Sequence, residues 1–165
     1  MSELLEADYQ IRQLHARFVD AAWRKDGDSY AQLFTEDGEW KLAKMHMRGR
    51  KEIGESFTRL LGYTNRVLIL PGVPILELEG NTALSRSYCT EFTKMPDGRA
   101  TMALGTYFDR YEKTGGAWLF KWRHYNLKYS GPIDYSDELV DSPDFGAFPG
   151  MPEPDAPTYT RLKQS

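Results

Sequence analysis

Three polar side chains able to handle protons or bind anions stand in segments that are otherwise apolar and aromatic. Glu91 lies in the segment 82–95, and Arg123 and His124 lie in the segment 117–129. A carboxyl group in an apolar pocket has a raised pKa and can act as a general acid or base. A histidine titrates near neutral pH, and an arginine stabilises an enolate, phenolate or carboxylate. These residues predict proton-transfer chemistry on a small hydrophobic molecule.

The alternation of a β-strand assigns these side chains to faces of the sheet. Glu91 shares its face with three small residues, Ser85, Ser87 and Cys89. Arg123 and His124 are adjacent and therefore point to opposite faces of a regular strand. His124 has the parity of the aromatic residues Trp118, Phe120 and Trp122, which places it on the more apolar face. A β-bulge would exchange the two faces, so the sequence leaves open which of the pair points into a pocket.

Metal and cofactor sites are not indicated. His46, in the short segment 44–48, is expected near the rim of the pocket, and His15 is expected to pack or to face solvent. The three histidines do not have metal-ligand spacing, and no phosphate-binding or dinucleotide-binding fingerprint follows a strand. We therefore predict catalysis without a cofactor or metal.

Composition excludes several classes of partner. The chain has 165 residues, enough for one domain, with a formal net charge of −3 and a pI near 5.7. This charge predicts binding neither to nucleic acid nor to anionic membranes. Cys89 is the single cysteine, so no intrachain disulfide forms. The acidic N-terminus does not resemble a signal peptide, and the longest aliphatic run, 67–70, is too short to span a membrane. We expect a soluble, cytoplasmic protein.

The elements that would position the polar residues are three helices followed by strands. Apolar residues at helical spacing, Ile11, Leu14, Phe18, Val19 and Ala22, predict a first amphipathic helix. A short helix capped by Asp28 or Ser29 is expected to run to Phe34, a turn covers 35–38, and strands follow at 39–43 and 45–48. A third helix is predicted at 51–61.

Four strands then form an antiparallel meander at 66–78, 82–95, 100–112 and 117–129, the first of them interrupted by Pro71 and Pro74. We predict an α+β fold in which a curled antiparallel sheet of four to six strands wraps around three N-terminal helices as a cone-shaped barrel. This domain covers 1–130, and 131–165 is a proline-rich extended arm. Its aromatic residues favour docking, either over the pocket or across a dimer, rather than disorder.

Several segments carry a family resemblance. IRQL at 11–14, RKDGDSYAQLFTEDGEW at 24–40, GRKEI at 49–53, YFDRYEK at 107–113 and GAWLFKWR at 116–123 together resemble the SnoaL-like branch of the nuclear transport factor 2-like superfamily. The resemblance covers roughly 8–130. It implies relatives such as ketosteroid isomerases, polyketide cyclases, scytalone and bile-acid dehydratases, hexachlorocyclohexane dehydrochlorinases and small subunits of aromatic-ring dioxygenases.

The resemblance also implies positions for the site. Many catalytic members pair an Asp near the end of the first helix with a His on the first long strand, and the matching positions here are Trp23 and Ile69. The dyad of the family is therefore replaced. Glu91 falls on an acidic position of the dehydratase-like pattern, Arg123 on a pocket arginine of the dehydrochlorinase-like pattern, and Trp40 on its pocket tryptophan. With Trp23 and Tyr107, Trp40 is expected to form the pocket wall.

The leading hypothesis is a cofactor-independent lyase or isomerase for aromatic compound catabolism, which acts on a small hydrophobic, aromatic or polycyclic substrate. Glu91 or His124 would be the base and Arg123 the electrostatic stabiliser, with His46 contributing to substrate binding. The alternatives are a non-catalytic binding or assembly domain, like a ring-dioxygenase small subunit, and a polyketide-type cyclase. The resemblance further implies a homodimer, which the second apolar sheet face formed by Leu84, Tyr88 and Phe92 supports.

Overall fold

Three helices precede seven strands in the computed structural model, which describes residues 3–140 and 147–153. The helices are α1 (Glu3–Arg24), α2 (Gly27–Ala31) and α3 (Gly49–Gly62). The strands are β1 (Phe34–Leu42), β2 (Met45–Arg48), β3 (Arg66–Pro71), β4 (Ile75–Glu79), β5 (Thr82–Lys94), β6 (Ala100–Thr114) and β7 (Ala117–Gly131). The α+β architecture with a curled, mostly antiparallel sheet is thereby confirmed.

The buried stripe of α1 includes the predicted Ile11, Leu14 and Phe18, and also His15. The short helix α2 begins earlier than predicted because Asp26, rather than Asp28 or Ser29, is its N-cap. The backbone N–H of Ser29 donates to the Asp26 carboxylate at 2.8 Å. This hydrogen bond, followed by those from the Ser29 hydroxyl and from Arg24, lowers the pKa of Asp26 to about 2.

The sheet has the strand order β2-β1-β7-β6-β5-β3, and β4 also pairs with β5. All pairs are antiparallel except β1–β7, which is parallel. The predicted first long strand is two strands, because Pro71 and Pro74 cannot donate a ladder hydrogen bond; β3 and β4 pair with different halves of β5. The predicted turn at 35–38 lies inside β1, where the register shifts between Phe34 and Glu39. The sheet therefore contains seven strands instead of four to six.

A β-bulge in β7 decides which side chains point into the curl of the sheet. Arg110 pairs with Trp122, but its neighbour Tyr111 pairs with Phe120, so Lys121 is the extra residue. Residues after the bulge therefore face the side of the sheet opposite to the one that strict alternation from the residues before it predicts. Phe120 and Arg123 both face the helices, and Trp122 faces the opposite side of the sheet.

The sheet thus has an inner core against the helices and a smaller cluster on its outer face. The outer cluster consists of Phe108, Trp122 and Phe148, and Phe148 belongs to the C-terminal arm. The Phe148 ring stacks on Trp122 with ring centroids 4.7 Å apart and an interplanar angle of 11°. The arm segment 147–153 therefore packs on the outer sheet face through Phe148 and Met151. Phe145 and Tyr159, two aromatic residues expected to dock, lie outside the described residues.

No helix within 3–140 or 147–153 is both long and apolar enough to cross a membrane.

Candidate functional site

Arg123 lies fully buried at the centre of the inner face. Its guanidinium carbon is 3.9 Å from the centroid of the Tyr107 ring, 4.2 Å from that of Phe18 and 4.4 Å from that of Phe120. Its Nε lies 3.1 Å from Oδ1 of Asp109, a carboxyl that is also fully buried. Within the described residues Asp109 is its one ion-pair partner, and the Tyr30 hydroxyl is a neutral polar neighbour. The guanidinium has five N–H donors, so the site contains a buried cation with hydrogen-bonding capacity beyond this one ion pair.

The carboxyl of Asp109 belongs to a buried polar network between α1, β5 and β6. Its Oδ2 lies 3.3 Å from the hydroxyl of Tyr111 and 3.5 Å from Nε2 of His15. The Tyr111 hydroxyl is also 2.8 Å from His15 Nε2 and 2.7 Å from the Ser85 hydroxyl. Three side chains, Tyr111, His15 and Ser85, thus fix the orientation of one ion pair.

Burial sets the protonation states in this network. It raises the pKa of Asp109 to about 6, with Arg123 opposing the shift. Burial, followed by the positive charge of Arg123, lowers the pKa of His15 well below its ordinary value. Burial also raises the pKa of Tyr111, so its hydroxyl keeps its proton. At neutral pH His15 is consequently a neutral imidazole, and the Arg123 guanidinium is the cation of the network.

Glu91 lies on the inner face of β5, as strand alternation predicted, and pairs with Ile69 of β3. The Tyr107 hydroxyl donates to its Oε1 at 3.3 Å, and the Cys89 thiol lies 3.9 Å from the same atom. Burial raises the pKa of Glu91, while the Tyr107 hydrogen bond and then the charge of Arg123 oppose the rise. In the described ranges no basic side chain lies within ion-pair distance of Glu91. Glu91 as a residue is half-buried, between the inner core and the exposed end of β5.

Trp40 and Tyr107 are buried in the inner core, where they were expected as walls. The Trp40 ring packs edge-on against Tyr30, with centroids 5.1 Å apart, and Tyr30 stacks on Phe57 at 4.0 Å. Burial raises the pKa of Tyr30 and Arg123 opposes it, so the Tyr30 phenol stays protonated next to the guanidinium. These rings surround Arg123 with apolar faces and hydroxyl donors.

Three predicted site residues lie elsewhere. His124 points to the outer face, because the bulge at Lys121 reverses the strand parity and turns Arg123 inward, which decides the question that the sequence left open. The ring centroids of His124 and Phe148 are 6.4 Å apart. His46 lies on the same face, 2.5 Å from a Glu39 oxygen. Trp23 is 47% exposed beneath Arg66 on the surface.

Sequence reasoning missed Asp109 and the part that His15 and Tyr111 play around it. A signal was present for each. Asp109 alternates with Tyr107 and Tyr111 on β6, and therefore shares the face of a predicted wall residue. His15 falls at helical spacing from Ile11 and belongs to the buried stripe of α1.

No group of three or more His, Cys, Asp and Glu side chains in the described part of the chain is arranged to hold a metal ion.

Comparison with known proteins gives one family and several similar structures. The SnoaL-like domain family matches residues 3–124. A protein assigned as an aromatic-ring hydroxylase from Novosphingobium aromaticivorans is 25% identical, with a TM-score of 0.72 over 79% of this chain and 96% of that chain. A protein assigned as a scytalone dehydratase from the same organism is 20% identical, with a TM-score of 0.72 over 84% and 93% of the two chains. A hexachlorocyclohexane dehydrochlorinase is 15% identical, with a TM-score of 0.74 over 91% and 100%. No curated protein sequence matches the chain.

Proposed function

Because the chain belongs to the SnoaL-like domain family, we propose that it is a cofactor-independent lyase or isomerase acting on a small hydrophobic molecule. The substrate is an aromatic or polycyclic compound, which suits a role in aromatic catabolism. Glu91 removes a proton, and Arg123 stabilises the negative charge that develops on the substrate. The similar structures assigned as a dehydratase and a dehydrochlorinase support an elimination.

The observation that carries this proposal is the half-buried carboxyl of Glu91 on the inner face, which has no cation at ion-pair distance among the described residues. Its nearest cation, Arg123, is already paired with Asp109. Burying such a group costs several kcal/mol unless it is compensated. A carboxyl with a purely structural role would bring no advantage that offsets this cost in free energy. A base gains a pKa raised toward neutral pH, where proton transfer is most efficient.

In the proposed reaction the ionised Glu91 takes a proton from a carbon of the substrate. The electron pair left on that carbon either expels a leaving group or moves to a carbonyl oxygen, which Arg123 then faces. The Tyr107 hydroxyl orients the carboxylate through its 3.3 Å hydrogen bond. A positioned base contributes about 10²–10⁴-fold to the rate. One well-placed donor to the developing anion contributes about 10²–10³-fold.

A non-catalytic binding or assembly domain is the second candidate. The apolar Ile69, at the position where the family resemblance has a catalytic histidine, favours it, as does the exposed Trp23 at the aspartate position. We also propose a cytoplasmic homodimer. Tyr88 is 59% exposed on the outer sheet face and would be covered by the second copy, whereas Leu84 packs against the arm cluster.

The test is a thermal-shift screen of small aromatic and steroid-like compounds on the wild type and on Glu91→Gln. Glu77→Gln, an exposed acid on β4, is the matched control. We expect a compound that stabilises all three proteins and that only the wild type and Glu77→Gln convert, as followed by mass spectrometry. Ligands that bind without turnover by any protein would favour the binding domain instead.

A further inference from the structure

The guanidinium of Arg123 has one ion-pair partner among the described residues, and the contact is made along its Nε edge. Its Nε lies 3.1 Å from Asp109 Oδ1, and the neutral Tyr30 hydroxyl is the other polar group beside the guanidinium. Arginine–carboxylate pairs are frequently bidentate. A single contact through Nε therefore corresponds to one particular orientation of the guanidinium. The aromatic faces of Phe18, Tyr107 and Phe120 fix the depth of the cation but not its rotation in its own plane. The contact with Asp109 must set that rotation.

Asp109 is itself held from the opposite side. Its second oxygen lies 3.3 Å from the Tyr111 hydroxyl and 3.5 Å from His15 Nε2. The Tyr111 hydroxyl is anchored in turn by Ser85, 2.7 Å away. Residues of α1, β5 and β6 thus give the carboxyl one orientation, and the carboxyl passes this constraint to Arg123.

We propose that Asp109 is a positioning residue, which binds Arg123 through Nε so that Nη1 and Nη2 are presented to an oxygen anion of the substrate. The ligand class is a phenolate or enolate. This inference rests on the proposed function, from which it takes the role of Arg123 as the stabiliser of negative charge.

Asp109→Asn has opposite expected effects on anion binding, depending on whether Asp109 acts through its charge or by positioning Arg123. Asp109→Asn deletes a negative charge next to Arg123. If the charge alone mattered, the site would become more positive and would favour an anion more strongly. If Asp109 fixes the rotation of Arg123, the variant allows the guanidinium to turn away, and the anion is favoured less.

The experiment measures the pKa of 4-nitrophenol bound to the protein, because the yellow phenolate and the colourless phenol are distinguished by absorbance. The proteins compared are the wild type, Asp109→Asn and Arg123→Met, and Arg123→Met is also assayed in the Asp109→Asn background, where no buried carboxyl is left without its cation. Asp37→Asn is the matched control, since Asp37 pairs with Lys121 at the surface. We expect bound probe with a lowered pKa in the wild type and in Asp37→Asn. In Asp109→Asn the pKa should return toward that of the free probe, and phenolate affinity should fall about tenfold.

Each outcome separates the inference from the function on which it rests. If the wild type and Arg123→Met give the same bound pKa, Arg123 is not the stabiliser, and the proposed role of Arg123 and the inference both fall. If Arg123→Met loses the effect but Asp109→Asn keeps or increases it, only the positioning role is overturned. Should Asp109→Asn not fold, Tyr111→Phe retains the ion pair and removes one hydrogen bond to it. About a threefold loss of phenolate affinity is then expected, and no loss would overturn the inference.

Discussion

Replacing Arg123 with methionine should destabilise the protein severely, because it leaves the carboxyl of Asp109 buried without its cation. Nε and Oδ1 are 3.1 Å apart and both side chains are fully buried. At this distance, with an effective dielectric constant of about 20, the attraction is about 5 kcal/mol. Removal of one partner from a buried pair costs about 3–5 kcal/mol by experience with other proteins. A domain is stable by only about 5–15 kcal/mol, so the variant should lie close to unfolding.

The assay is urea unfolding followed by tryptophan fluorescence, with the free energy of unfolding compared across variants. Adding Asp109→Asn to Arg123→Met removes the uncompensated charge and should recover most of the loss. Lys121→Met, which breaks the exposed pair with Asp37, is the control and should cost less than about 1 kcal/mol. A loss below about 1 kcal/mol in Arg123→Met, or a double variant no more stable than the single one, would refute the reasoning.

The pH dependence of this loss follows from the pKa of Asp109. In the folded protein this pKa is about 6, above the ordinary value of 3.8, so the folded state binds the proton more tightly than the unfolded chain. Ionisation of Asp109 therefore costs stability as the pH rises from about 4 through 6. The difference in the free energy of unfolding between the wild type and Arg123→Met should be large at pH 8. This difference should be smaller at pH 5, where Asp109 is protonated in both proteins.

Three further outcomes are expected. Glu91→Gln should raise the free energy of unfolding at pH 8, since the burial that raises the pKa of Glu91 penalises its charged form; urea unfolding showing a less stable variant would contradict this. Phe148→Ala should expose Trp122 and red-shift its fluorescence without changing ligand binding, and an unchanged spectrum would show that the arm does not cover that ring. Gly27→Ala should lower the melting temperature by several degrees, because its Cβ would lie 2.3 Å from the backbone oxygen of Gly54; an unchanged melting curve would exclude that clash.

The fold was predictable because its elements have strong periodic signals. The apolar stripe of α1 and the alternation in β5 are visible in the sequence, and Glu91 was placed on the correct face from alternation alone. The split of the first long strand was signalled by Pro71 and Pro74, although only the pairing with β5 shows that both halves are strands.

The candidate site was less predictable because it depends on one irregularity. A regular β7 would place His124 on the more apolar face, and the sequence left open whether a bulge puts Arg123 there instead. The extra residue Lys121 exchanges the faces of the residues that follow it. Arg123 could be assigned inward only through the family resemblance. Alternation with Tyr107 places Asp109 on the inner face of β6, but its pairing with Arg123 and its contact with His15 come from packing between segments distant in sequence.

The most direct test of the account is proton abstraction by Glu91, measured as deuterium incorporation. Small aromatic and polycyclic ketones that stabilise the protein would be incubated in D₂O with the wild type, Glu91→Gln and the exposed control Glu77→Gln, and analysed by mass spectrometry. The account predicts incorporation next to the carbonyl with the wild type and the control. It predicts a rate at least about 100-fold lower with Glu91→Gln. Equal incorporation by Glu91→Gln and the wild type, or none with any ketone that binds, would contradict it.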